Sequence, residues 1–405
     1  MEYSCLIINL SENNQLAQDW QRRIGPHQFE MNVNYASSAS EAEAMINSGS
    51  VITMVIFAED FTKEIGQILR NYQAAVGCMS DFQMIVNDDP HPRLMAGVYD
   101  FGVEQFTTKE RWPEDVAAMS RKAKKLIANT ETTESKTYHL TQSIKTNDHQ
   151  AIMRARDNMG NIGEHDYRAA YAVARASEAI GDYKTAIENF GMSNSMNDRF
   201  RPSSASYGES LMVTGQYDKA LEVFKALEKS NPYDADRKAQ IASLYIEKGD
   251  MKNAMRYVKD ATGLDPKNEK LLEARATYYL SQGKVSEAFK ILDQMSEVGA
   301  FFAAKLNELG IKLSQAGKGK SALALYNKAH RVVKGELKYK ISLNAALACR
   351  RLKAYDLALK YLTRAEKEYG GTFDKSIKIR RALLKSKKKL RLAKLKRAQM
   401  GNKAS

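Results

Sequence analysis

The residue types that do chemistry are sparse in this chain and spaced badly for it. Cys5, Cys78 and Cys349 lie far apart and form no CxxC pair. That argues against a disulfide scaffold or a cysteine-rich zinc site and fits a reducing compartment. The six histidines give no HExxH and no pair at metal-ligand spacing. There is also no phosphate-binding glycine loop and no nucleophile elbow. The acids worth placing are Glu12, Glu59, Asp60, Asp88 and Asp89, which follow short apolar runs. Carboxylates gathered there would offer the hard oxygen ligands that Mg²⁺ demands.

The elements that would position them lie in residues 1–129. Strand-like runs at Tyr3–Leu10, Met31–Ala36, Val51–Phe57, Phe82–Val86 and Gln105–Thr107 alternate with helical patterns near 14–24, 39–48, 62–76 and 113–128. Units of this length imply a doubly wound α/β domain, flavodoxin-like, around a parallel sheet.

Ser-Ala-Ser-Glu-Ala-Glu-Ala-Met (38–45) and Gly102-Val103-Glu104-Gln105-Phe106-Thr107-Thr108-Lys109 resemble the second helix and the lysine segment of the receiver domain of bacterial response regulators. The resemblance puts Phe106 in the place of the aromatic switch residue and Lys109 in that of the phosphate-neutralising lysine. A working receiver also needs an acidic pair after strand one, a carboxylate at the end of strand three and a hydroxyl after strand four. Here the pair aligns with Leu10 and Ser11, the acceptor falls at Phe57 or Ala58, and the hydroxyl becomes Asn87. Glu110 replaces the proline that usually follows the lysine. Losing the carboxylates removes the metal, so a pseudo-receiver is expected. Phosphorylation would need Glu59 or Asp60 as a displaced acceptor, with Asp88 or Asp89 as ligands.

Beyond residue 137 a repeat takes over. Gly181, Gly215, Gly249, Gly283 and Gly317 stand 34 residues apart. In phase with them run Ala186, Ala220, Ala254, Ala288 and Ala322, the small residues Ala174, Gly208, Ala242, Ala276 and Gly310, and the bulky Phe190, Phe224, Val258, Leu292 and Tyr326. A sixth copy follows with a two-residue slip at Ala346, Tyr355, Ala358, Leu362 and Ala365, and Pro232 and Pro266 mark repeat ends. Each period implies two antiparallel helices turned at the glycine.

The pattern resembles the tetratricopeptide repeat (TPR), and a degenerate copy around Asp148–Ile152 takes the array to 138–372. The resemblance implies a concave face, built from each first helix, that holds a partner peptide or helix: Arg168, Tyr171, Arg175 and Glu178, then Glu209 and Met212, Ser243 and Ile246, Glu273, Thr277 and Leu280, and Asn307, Ile311 and Ser314. The lysine and asparagine set that clamps C-terminal carboxylates is missing, since Ala205 and Ala239 hold two of its places.

The polar stretch 130–137 reads as a linker, or as the frayed start of the first repeat helix. The net charge of +14 is concentrated at the other end, where residues 373–405 hold thirteen Lys or Arg and one acid, Asp374. Up to about 385 this segment should cap the last repeat. Beyond it Lys385, Lys387, Lys388, Lys389, Arg391, Lys394, Lys396 and Arg397 form a loose cationic tail, able to touch nucleic acid or an anionic surface without reading sequence. Neither a signal peptide nor an apolar run long enough for a membrane span is present. The expectation is a cytoplasmic, non-enzymatic bacterial signalling scaffold with protein partners and no cofactor or metal. Its rivals are a phosphorylated response regulator with TPR output and a nucleic-acid-associated protein anchored by the tail.

Overall fold

The computed structural model describes residues 4–10, 22–24, 31–76, 82–128, 131–146, 148–160 and 166–401. Ser11, Glu12, Cys78 and most of the expected helix 14–24 lie outside these residues. So do the side chains of Lys394, Lys396 and Arg397.

The N-terminal part is a parallel sheet of β1 (Ser4–Asn9), β2 (Asn32–Ala36), β3 (Val51–Phe57), β4 (Gln83–Val86) and β5 (Gln105–Thr107), in the order β2-β1-β3-β4-β5. Every residue of β1 and β3 is buried, as a parallel sheet requires when both faces are covered. The covering helices are α1 (Ala39–Asn47), α2 (Lys63–Val76), α3 (Pro92–Tyr99) and α4 (Trp112–Ala128). The sequence reading had no counterpart for α3. It is short and holds Gly97, but Pro92 at its first position and His91 accepting from the Arg93 amide start it where apolar periodicity is too brief to show.

Helices then run in pairs. α5 (Thr133–Lys145) and α6 (His149–Asp157) form the degenerate first copy. The expected linker is therefore helical from Thr133, whose start Thr132 caps by accepting from the Ser135 amide. Next come α7 (Tyr167–Ala179) and α8 (Tyr183–Met196), α9 (Arg201–Val213) and α10 (Tyr217–Ser230), α11 (Ala235–Glu247) and α12 (Met251–Leu264), and α13 (Glu269–Ser281) and α14 (Val285–Leu292). The last pairs are α15 (Ala300–Gln315) with α16 (Gly319–Val332), and α17 (Glu336–Arg351) with α18 (Tyr355–Tyr369), followed by α19 (Asp374–Gly401). The final helix runs on through residues expected to be loose.

The in-phase residues meet as their sizes demand. A Cβ on Gly208 would stand 2.8 Å from the Phe224 ring, and one on Gly310 would collide with Tyr326. The five turn glycines all take positive φ, from 70° to 79°, a conformation that costs an L side chain about 1–2 kcal/mol. In the slipped sixth copy the equivalent place belongs to Lys353, at φ 60° and alone among the described non-glycine residues in that region.

The two parts pack together. Asp100, at the end of α3, accepts from Asn231 Nδ2 at 2.6 Å and faces Arg201 and Arg237, both at 3.4 Å. Arg201 also donates to the Ala96 carbonyl at 3.0 Å, and Glu104 accepts from Tyr167 Oη and Asn197 Nδ2. Further along, Arg93 covers the Tyr233 ring, Arg70 pairs with Asp236 and Lys63 with Asp265. Three successive inter-repeat turns thus line one side of the α/β domain.

Lys353→Gly should raise stability by about 1 kcal/mol, because it removes a left-handed non-glycine residue. Denaturant unfolding checks it, and an unchanged midpoint contradicts the assignment.

Candidate functional site

The first helices of the repeats do form a common inner wall, and its polar residues are tied to each other. Arg175 donates to Glu178 at 2.5 Å, and Ser210 donates to Glu178 at 3.4 Å. Glu209 accepts from Gln240 at 2.6 Å and lies 3.7 Å from Lys270. Burial pushes the Glu178 carboxyl up against the lowering effect of Arg175, and burial likewise pushes Glu273 up against Lys270. Burial would lower Lys270, but Glu273, Glu209 and Asp236 outweigh it and hold its pKa above the ordinary value.

What covers this wall is the chain itself. α14 is only eight residues long against fourteen in α12 and α16, and residues 293–299 leave the repeat path. Val298 donates to the Val332 carbonyl at 3.0 Å, and the Gly299 amide donates to Glu273 Oε1 at 2.5 Å. α15 then enters the wall at Phe301, which packs with Leu211, Met212 and Ala274 and sits edge-on to Tyr217 at 6.2 Å. Lys305 follows, donating to Glu247 at 2.6 Å and to Tyr217 Oη at 3.1 Å.

The expected partner-facing residues are therefore distributed unevenly. Met212, Ser243, Ile246, Glu273, Thr277 and Ser314 are buried in internal packing, so in this conformation they offer a partner almost no surface. Asn307 and Ser314 accept from Asn344 and Arg351 of the next repeat. Arg168, Tyr171, Arg175, Glu178, Glu209, Leu280, Asn307 and Ile311 are half-buried.

The array also closes on itself. His149 stacks on Tyr369 at 4.7 Å and meets Tyr339 edge-on at 5.3 Å, while Phe373 packs on both tyrosines. The first helix pair thereby touches the last. Between them lies a cavity of ≈ 380 Å³, lined by residues that include Arg175, Glu178, Glu209, Glu297, Lys334 and Glu368. Pairwise sequence spacing holds no signal for this closure.

In the α/β domain, Phe57 and Ala58 are buried, and Asn87 donates to the Ala58 carbonyl at 2.7 Å. Lys109 Nζ is 2.9 Å from Glu59, whose hydrogen bond raises the lysine's pKa, and the Lys109 amide donates to Asp88. Asp60 faces Arg93 at 3.4 Å. Phe106 lies edge-on to Tyr99. Asn87, Lys109, Glu59 and Asp88 thus gather beyond the strand ends, while Phe106 stands apart beside α3. Among the described residues, no group of His, Cys, Asp or Glu is arranged to hold a metal, and no helix is long and apolar enough to cross a membrane. On α19, Lys385, Lys387, Lys388, Lys389 and Arg391 are exposed.

A profile described as tetratricopeptide repeat matches residues 211–277, and one described as PPR repeat matches 277–299, the segment that includes shortened α14. No curated protein matches the chain. Among solved structures, a thermophilic TPR protein of Thermus thermophilus is 22% identical, covering 40% of this chain and 89% of its own, at TM-score 0.34. MamA of Desulfovibrio magneticus RS-1 is 17% identical, covering 40% and 93%, at TM-score 0.34. A tetratricopeptide repeat protein of Parabacteroides merdae is 12% identical, covering 62% and 98%, at TM-score 0.36. Likenesses this distant say nothing of partners. The repeats themselves are of the tetratricopeptide type, an architecture that serves protein–protein interaction.

Ring closure should be acid-sensitive. Burial pushes His149 down to about 4, Lys340 adds to this, and Asp148 opposes it. Because the unfolded imidazole takes its proton near 6.5, the unfolded chain binds more protons between 6.5 and 4, so stability falls as pH drops through that window. The protein should lose about 2 kcal/mol more than His149→Phe between pH 7 and pH 4.5 in thermal unfolding. Equal losses would contradict it.

Proposed function

We propose that this chain is a non-enzymatic bacterial signalling adaptor. Its repeat array is a scaffold for partner proteins, and its N-terminal domain is a pseudo-receiver that kept a fold and lost phosphoryl chemistry. The strand order 2-1-3-4-5 is that of flavodoxin-like sheets and supports this reading. The observation that carries it is the apolar acceptor place: Phe57 and Ala58 are buried where a receiver needs an exposed carboxylate. The nearest acids are otherwise engaged, Glu59 with Lys109 and Asp60 with Arg93.

A cytoplasmic setting and a place beside two-component pathways belong to the same proposal. Partner segments would dock on the inner wall. The half-buried Asn307, Ile311, Leu280 and Arg168 would be reachable directly, and Glu178 and Glu209 through the cavity that they line. The domain interface makes the α/β domain a rigid partner of the array rather than an independent arm.

The test is to add Mg²⁺ with beryllofluoride, and separately a small acyl phosphate, to the full chain. The account expects no Mg²⁺-dependent binding and no phosphorylated species, while capture of proteins from nuclease-treated lysate at raised salt is unchanged by either. Saturable binding lost in Glu59→Gln or Asp60→Asn would replace the adaptor reading with that of a working response regulator.

A further inference from the structure

We propose that the cationic C-terminal helix lies in the major groove of duplex DNA, holding phosphates of both strands without reading sequence. The helix is anchored at its start. Ser376, Ile379 and Leu383 are buried against the last repeat, Arg380 pairs with Glu366, and Lys387 pairs with Asp356. It then continues to Gly401, so that the stretch beyond Lys387 is a rod about 20 Å long at 1.5 Å per residue.

Twelve Lys or Arg and no acid fall between Lys375 and Gly401. Lys385, Lys388, Lys389 and Arg391 are exposed and make no ion pair with the described residues. The protein's own acids thus neutralise only the anchored base of the helix. The chemistry that completes the rest is a polyanion, which gains affinity by counterion release.

The angular spread of the cations selects which polyanion. At about 100° per residue, Lys385, Lys388, Lys389, Arg391, Lys394, Lys396 and Arg397 occupy positions all round the helix, leaving no quadrant empty. A flat anionic surface would meet half of them. Leu384, Leu392 and Leu395 fall within about 80° of one another, but Lys388 stands among them and Leu390 points away, so there is no unbroken apolar side for a lipid interface. A DNA major groove about 12 Å wide accepts a helix of about 10–12 Å diameter and flanks it with phosphates on both sides. The major groove of duplex RNA is too deep and narrow for this. No aromatic residue follows Phe373, so single strands find no stacking platform.

The full chain is titrated by fluorescence anisotropy against two unrelated DNA duplexes of about 20 base pairs, a single strand, duplex RNA, polyglutamate and phosphatidylserine vesicles. Both duplexes should bind with equal affinity, more tightly than the other probes, and the logarithm of affinity should fall with log salt at a slope of about −5 to −7. A variant carrying Lys388→Gln, Lys389→Gln and Arg391→Gln keeps good helix formers on exposed positions, and its helix content is checked by circular dichroism. It should bind at least about tenfold more weakly, with the slope reduced by about 2–3. No duplex binding at low salt, a variant indistinguishable from the parent, or tighter binding to vesicles, single strand, duplex RNA or polyglutamate overturns the proposal.

Discussion

The contact on which this structure depends is a small residue of one helix pressed against a large side chain of the next. Gly208 under Phe224 and Gly310 under Tyr326 show its tightest form, with no room for even one more carbon. Interiors packed at crystal-like density fix the distance and angle between helices at such contacts. Repeated every 34 residues, a fixed local geometry becomes a fixed curvature. That curvature brings α6 round to α17 and α18, where His149, Tyr339, Tyr369 and Phe373 close the array. A solenoid normally gains stability only from nearest neighbours. Here contacts across the ring, and Phe301 and Lys305 seated on the inner wall, add long-range ones.

The same period organises the outer edge. Asn197, Asn231 and Asp265 are the C-terminal caps of α8, α10 and α12, one repeat apart. All three reach the α/β domain, through Glu104, Asp100 and Lys63. Asp100 faces two guanidinium groups in a mostly buried setting. Such an arrangement is weak evidence for net stability, because desolvation offsets much of the attraction, but it penalises any other docking orientation that would strand a charge. The consequence for function is that a partner pulling on the array also pulls on the domain.

Much of this was legible in the residues. Five glycines in phase declare the repeats because the left-handed turn leaves few alternatives. The sixth copy was harder, since Lys353 stands where the others have glycine. The parallel sheet was equally legible, because its strands read as short apolar runs, and the run Val51–Phe57 ends on the buried Phe57 and Ala58. What escaped was collective. Helix α3 is too short for periodicity. The helical start at Thr133 could be read only as an alternative to a linker, because its polar residues carry no apolar periodicity. The occupation of the inner wall follows from the shortened α14, which shifts α15 inward, and no pairwise spacing encodes that summed displacement. Met212, Ser243 and Glu273 lie on first helices of their repeats but are buried in internal packing.

Whether the inner wall is filled by the chain itself decides how much of it a partner can reach, and native-state hydrogen exchange of residues 298–305 tests it most directly. The Val298 amide donates to Val332, the Gly299 amide to Glu273 and the Ala303 amide to the Gly299 carbonyl, beside the buried Phe301 and Phe302. These amides should be protected as strongly as the centre of α11, exchanging only when the array opens. Exchange as fast as at a free helix N-terminus would mean that α15 does not rest on the wall, and that the groove stands open to partners.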